Sequence, residues 1–420
     1  MRIVWLSNAA WSPSAYGRQT ALFAPRLNTL GHETAVCAFH GLHGNVMTVD
    51  GVRHYPGSIE EQWAQDVLPG HYGNWRADLC ITLMDAWVLN GPGLKASEMN
   101  MAHWMPVDAT PLGVMDRAVL DQGGGRPIAM SRFGETQLRD AGYDPLYVPH
   151  GQDSSLFKPL DAAEREKTRH QLGYDGKFVI GIAAANLDPC RKGFGEQFAA
   201  FAQFAARHPE ALLLVHSRVI TRQGSDLRRM AALLGIGDKV IFGDQYGQAT
   251  GSVNDATMAR WYGLLDVLSN ATYGEGFGCP VLDAQMCGIP VVVADNSTGP
   301  ELCGAGWLVA TEPYWNRGHS SWWGRPSVAS IVDCYEQAFE KAAGMREQAR
   351  EFALAYDADT VAETYWKPAL AALEAGLTQR NRASQIPAPV LPADPGTAPG
   401  IFGPKTPPKA KARAKAKAAR

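Results

Sequence analysis

The stretch that decides the fold runs Gly274-Glu275-Gly276-Phe277-Gly278-Cys279-Pro280-Val281-Leu282-Asp283. It follows an apolar strand candidate, Leu265 to Ala271, and leads through a short helix to a second, Ile289 to Ala294. Gly276 and Gly278 permit backbone geometry that a side chain forbids. Pro280 suits the first helical turn. The free amides of that helix start favour an anion in front of them. Asp283 is expected on the helix's first turn. Two acids, Glu275 and Asp283, thus frame a glycine-rich turn at the mouth of a β/α unit. Carboxylates there grip hydroxyls and amides approach negative oxygens, which suits a sugar nucleotide. A plainer account also accommodates this stretch on its own: Asp283 complements the helix dipole and the glycines only turn the chain.

The same alternation extends in both directions. Ile3-Leu6, Thr34-Phe39, Leu79-Leu83, Pro127-Met130 and Leu146-Val148 read as buried strands, and Phe178-Ile182, Leu212-Val215 and Val240-Phe242 repeat the pattern. Strands separated by helical stretches imply parallel sheets. A loop with Ser12, Pro13, Ser14, Tyr16 and Gly17 precedes an amphipathic helix of about Arg18 to Leu30, closed by Gly31. Phe194, Phe198, Phe201 and Ala205 share one helical face. The pattern from Ser327 to about Gly376 is helical.

The chain has 420 residues, 46% hydrophobic and 19% charged, enough to bury two cores. No apolar run approaches the ~20 residues of a membrane span, and MRIVWLSNAAW does not read as a signal peptide. The seven cysteines, at 37, 80, 190, 279, 287, 303 and 334, include no CxxC pair. They are expected to be reduced thiols of a cytoplasmic protein, and their spacing argues against zinc. Residues 377–420 are rich in proline, poor in large apolar residues, and expected to be disordered. From Lys405 onward there are seven Lys plus Arg and no acid; removing those seven charges from the formal −3 leaves −10 on residues 1–404. Segment 405–420 is a possible nucleic-acid contact or equally a solubility tail.

The chain resembles the family-4 retaining glycosyltransferases (glycosyl transferases group 1). Their signature places a second acid eight residues after a Glu, within E-G-F-G-x-P-x-x-E-A-x-x-x-G-x-P-V. Residues 275–292 match it nearly throughout, including Ala284, Gly288, Pro290 and Val291, with Asp283 standing where the second Glu is usual. Val148-Pro149-His150-Gly151-Gln152-Asp153, followed by Phe157-Lys158-Pro159, looks like the family's interdomain segment. Ala183 to Gly193, AAANLDPCRKG, resembles the loop that brings an arginine and a lysine to the donor diphosphate. Many members carry that arginine earlier, where Asn186 stands here.

The resemblance implies an α/β chain of GT-B fold, two Rossmann-like domains with parallel sheets facing across a cleft, and a disordered C-terminal tail. Its parts would be an acceptor-side domain (1–150), an interdomain segment (151–176), a nucleotide-sugar domain (177–355), a helix crossing back (356–376) and the tail (377–420). It assigns catalysis to Glu275, Lys192 and Arg191. Donor binding falls to Gly17, Gly276, Phe277, Gly278, Asp283 and Tyr246, the last beside the loop expected to meet the base. On the acceptor side the candidates are Asp85, Asp108 and His103. His103 reads first as a packed histidine. No metal and no cofactor are expected beyond the nucleotide sugar as co-substrate. The implied reaction moves a sugar, with retention, from that donor to an acceptor hydroxyl, on a macromolecule such as a protein or modified nucleic acid. A non-catalytic sugar-nucleotide binding protein and a sugar-nucleotide epimerase on the same fold are the alternatives.

Overall fold

The computed structural model describes residues 1–377; all but the first residue of the tail expected over 377–420, with its basic segment 405–420, lies outside the described residues. Two sheets organise the chain. The first contains β1 (Arg2–Asn8), β2 (Glu33–His43), β3 (Met47–Val49), β4 (Val52–Gly57), β5 (Leu79–Leu83), β6 (Met101–Met105), β7 (Arg126–Ala129) and β8 (Leu146–Tyr147). Its spatial order is β3-β4-β2-β1-β5-β6-β7-β8. All pairs are parallel except β3 with β4. The second contains β9 (Phe178–Ala183), β10 (Ala211–His216), β11 (Val240–Phe242), β12 (Val267–Asn270), β13 (Val291–Ala294) and β14 (Gly306–Val309), ordered β11-β10-β9-β12-β13-β14 and parallel throughout. Counting β9 as one, that order is 3-2-1-4-5-6, the Rossmann arrangement.

Burial explains why these runs became strands. Ile3, Val4, Trp5 and Leu6 are fully buried, as are Val267, Leu268, Val291 and Val292. A strand covered on both faces reads as a continuous apolar run, which is what parallel sheets flanked by helices require. The helix Phe194–Arg207 buries Phe194, Phe198, Phe201 and Ala205 on its expected face. The helix Ala15–Thr29 begins earlier than expected because Ser14 caps it, accepting from the Gly17 amide. Gly17 therefore lies inside the first turn rather than ahead of the helix.

The C-terminal helices return to the first sheet. Trp366 is fully buried and its ring lies 5.5 Å from Trp5 and 4.9 Å from Trp104. The chain halves are also tied at Gln152, whose amide donates to Tyr356 O while its carbonyl accepts from the Ala358 amide. A hairpin that the strand pattern of the sequence does not foretell, β15 (Thr311–Asn316) and β16 (Ser321–Pro326), stands outside both sheets.

Candidate active site

In an open parallel sheet, ligands sit beyond the carboxyl ends of the strands where the strand order reverses. In the second sheet that point lies between β9 and β12. The loop after β9 carries Arg191 and Lys192, and the loop after β12 carries Glu275. In the first sheet the reversal lies between β1 and β5. The loop after β1 leads to Tyr16 and Gly17, and Asp85 follows β5. Topology alone thus gathers most of the candidates.

Their geometry is specific. Lys192 Nζ lies 2.7 Å from Glu275 Oε1 and 2.9 Å from Oε2. Arg191 Nη1 lies 3.6 Å from Glu275 Oε2 and 3.8 Å from Asp108 Oδ2, and donates to Gly274 O at 3.2 Å. The Glu275 amide donates to Ser297 Oγ. The loop around the two cations is shaped by Asp188, whose Oδ1 accepts from the amides of Cys190 and Arg191. Gly193, at φ +59°, closes it: a Cβ there would meet Ala271 O at 2.2 Å. Asn186 is buried and ties down the loop at Arg218 and Ser225. It fixes a neighbouring loop, whereas Arg191 is the arginine that reaches Glu275.

Burial alone would raise the Glu275 carboxyl, but Lys192 and Arg191 outweigh it and hold the group below its ordinary range. Burial lowers the Lys192 ammonium, Arg191 adds to this, and Glu275 opposes both without reversing the fall. Burial also works against charge on Arg191, yet Glu275, Asp108 and Asp85 keep it firmly protonated. The result is a fixed, partly buried cluster of two cations and a carboxylate.

The glycine-rich turn is built as its spacing suggests, with one correction. Gly278 takes φ +105° and caps the helix Cys279–Met286, with Pro280 at its start. Asp283 lies beyond the first turn, which holds no acid. Asp283 is buried and both its oxygens are occupied: Arg18 Nη1 reaches Oδ2 at 2.6 Å, and Gln152 Nε2 donates to Oδ1. Arg18 comes from the first half of the chain and also pairs with Asp255 at 3.0 Å. The shorter acid here joins a cross-cleft ion pair, which neither Arg18 nor Gln152 announces in the sequence.

The other candidates divide. Phe277 is buried, its ring 5.1 Å from His150. Gly276 packs against the opposite half, where a Cβ would fall 2.2 Å from Pro106 Cβ. Gly17 is required by its own loop, since a Cβ would strike Ser12 O at 2.3 Å. Tyr246 is exposed on the short helix Gln245–Thr250 and its side chain is not gathered into the cluster. Asp108 faces Arg191, as described, and accepts from Trp323 Nε1 at 3.2 Å. Asp85 lies near enough to Asp108 and Arg191 for each to act on its carboxyl, which burial raises first of all. His103 is apart from them. It is wholly buried between Thr82 Oγ1 at 3.0 Å and Gly124 O at 3.1 Å, and burial lowers its imidazole to about 4. That is a packed histidine of the sheet, not a cleft residue. All seven cysteines are free thiols, and no helix among the described residues is long and apolar enough to cross a membrane.

Residues 178–314 match the family model Glycosyl transferases group 1. The chain is similar to a D-inositol 3-phosphate glycosyltransferase of Acidothermus cellulolyticus, 31% identical over 154 residues, 35% of this chain and 32% of that one. The chain spans about a third of the length of the first curated relatives it matches. Its fold is similar to sucrose-phosphate synthase from Thermosynechococcus elongatus, with a TM-score of 0.68 and 18% identity, covering 89% of this chain and 100% of that one. It is also similar to HepE of Anabaena, solved with UDP-glucose, with a TM-score of 0.65 and 17% identity, covering 88% of this chain and 100% of that one. The chain thus has the GT-B fold, and its residues 178–314 carry a glycosyl transferases group 1 domain.

Proposed function

We propose that the chain is a retaining, metal-independent glycosyltransferase of family-4 type, moving a sugar from a nucleotide-diphosphate donor to an acceptor hydroxyl. The observation that carries this reading is the Arg191–Lys192–Glu275 cluster at the strand-order reversal, inside the segment that matches the family model. In the reaction the bond from the anomeric carbon to the diphosphate oxygen breaks. A bond from that carbon to the acceptor oxygen forms on the same face. The acceptor proton passes to the departing phosphate. Negative charge grows on the diphosphate, and Arg191 and Lys192 are already fixed to meet it, which lowers the barrier without reorganisation. Glu275 orients the donor sugar through its hydroxyls and opposes loss of the Lys192 proton.

The acceptor is proposed to be a small hydroxyl compound or the end of a chain, in view of the inositol phosphate in the name of a relative. A macromolecular acceptor is a second reading, favoured by the basic segment 405–420. Calorimetric titration of UDP-, GDP-, ADP- and TDP-sugars tests the donor site. One donor is expected to bind the wild type, and Lys192→Ala is expected to weaken it. Equal binding to both proteins would remove Lys192 from the donor site.

A further inference from the structure

The β15–β16 hairpin leaves the second half of the chain and reaches the first. Thr110 and Trp322 exchange both backbone hydrogen bonds, at 3.0 and 2.7 Å. The Val114 amide donates to His319 O at 3.1 Å, and Trp323 Nε1 donates to Asp108 Oδ1 at 3.2 Å. His319 Nδ1 stands 4.0 Å from Asp116 Oδ2. The hairpin therefore lies across the carboxyl ends of β5 and β6, over Asp108 and Asp116 and beside the Arg191 cluster.

Its hold is weak. The hairpin has two strands and joins neither sheet, and an isolated pair of strands is at best marginally stable in water. Its apolar anchor is a separate small group of Ala109, Tyr273 and Trp323, apart from the large cores. Tyr314, Trp315 and Trp322 face solvent. Elements with few buried contacts open at low free energy while cores stay closed.

We propose that this hairpin is a strap that opens and closes over the acceptor side of the cleft independently of the two sheets, and that the acceptor enters when it is open. What passes beneath it rests on the glycosyl-transfer reading; the opening itself does not. In the closed state Trp323 is held to Asp108, and Asp108 lies against Arg191. Closure thus joins the strap to the cluster at which the sugar would move. Opening frees Asp108 Oδ1 from Trp323 and Asp116 Oδ2 from His319 for the hydroxyls of an acceptor, while Arg191 and the Trp87 amide keep the other oxygens.

The test is a Thr110→Cys/Trp322→Cys chain, with each single variant as control. Residues that exchange both backbone bonds across an antiparallel pair lie about 5.5 Å apart at Cα, within the span of a disulfide. In the wild type, hydrogen exchange read by mass spectrometry is expected to be at least about ten-fold faster in peptides over 311–326 than over β6 and β12. Oxidising the double variant is expected to slow hairpin exchange and to cut nucleotide release from the working donor sugar by about ten-fold or more. Dithiothreitol restores both. Hairpin exchange as slow as that of β6 in the wild type overturns the strap. Undiminished release from the oxidised chain overturns its gating. If no donor in the panel releases nucleotide from the wild type, the glycosyl-transfer reading fails and acceptor gating fails with it, while exchange still decides whether the strap opens.

Discussion

Lys192 and Glu275, 83 residues apart in the chain, are joined by two hydrogen bonds, 2.7 and 2.9 Å, from one ammonium to both carboxylate oxygens. Each is brought there by a loop at the end of a neighbouring strand. Lys192→Ala removes the cation and leaves Glu275 with Arg191 alone. Nucleotide release is expected to fall about 10²- to 10³-fold, the usual cost of one preorganised charge-stabilising group. Circular dichroism should show an intact fold. Wild-type turnover in this variant contradicts the diphosphate role.

Arg18 and Asp283 form the buried pair that crosses the cleft. Arg18→Met leaves a carboxylate buried with only Gln152 beside it, and the expected loss of stability is about 3–5 kcal/mol. Adding Asp283→Asn removes the unpaired charge and should recover much of the loss. Urea denaturation of the two single variants and the double variant completes the cycle. Strictly additive losses would mean that the pair is not coupled.

Gly276 meets Pro106 from the other half of the chain, with no room for a Cβ. Gly276→Ala is expected to hold the halves apart and reduce nucleotide release by about ten-fold or more, because small misplacements of reacting groups are costly. Gly195 has nothing within 4 Å of a built Cβ, and Gly195→Ala should leave release unchanged. Equal release from both variants would show that this contact does not set the working geometry.

Asp116 gives a pH test. Burial, then Asp85 and Asp108, push its carboxyl from the ordinary 3.8 to about 7. The folded chain therefore binds more protons than the unfolded chain between these values. Its contribution to stability is full below pH 4 and lost as pH rises through 7. Asp116→Asn keeps an acceptor for the Trp87 amide, now 3.1 Å from Oδ1. At pH 8 the variant is expected to be more stable by on the order of 2 kcal/mol, and at pH 4 the two should match. Thermal midpoints across this range check it; parallel curves would place the raised carboxyl elsewhere.

The parts of the site that local chemistry dictates were legible in the sequence. Glycines 276 and 278, Pro280 and the flanking apolar runs specify a strand, a turn and a helix without help from the rest of the chain. Partners across the cleft were not legible. Nothing local marks Arg18 or Gln152 as the residues that occupy Asp283, because their pairing depends on how the two halves meet. Asn186 shows the same limit, since its role is set by a loop more than thirty residues away. The β15–β16 hairpin escapes for a different reason. Pro313 and Pro326 interrupt its strands, and no neighbouring sheet supplies a regular pattern. Its legible trace is the pairing of Tyr314-Trp315 with Trp322-Trp323 around the polar turn Arg317-Gly318-His319.

The most direct measurement is release of free nucleotide from UDP-, GDP-, ADP- and TDP-sugars by the wild type and by Glu275→Ala. Release from one donor by the wild type, and its loss in the variant, are the results expected of sugar transfer at this cluster. Release that survives in Glu275→Ala, or silence from the wild type with every donor, would contradict it.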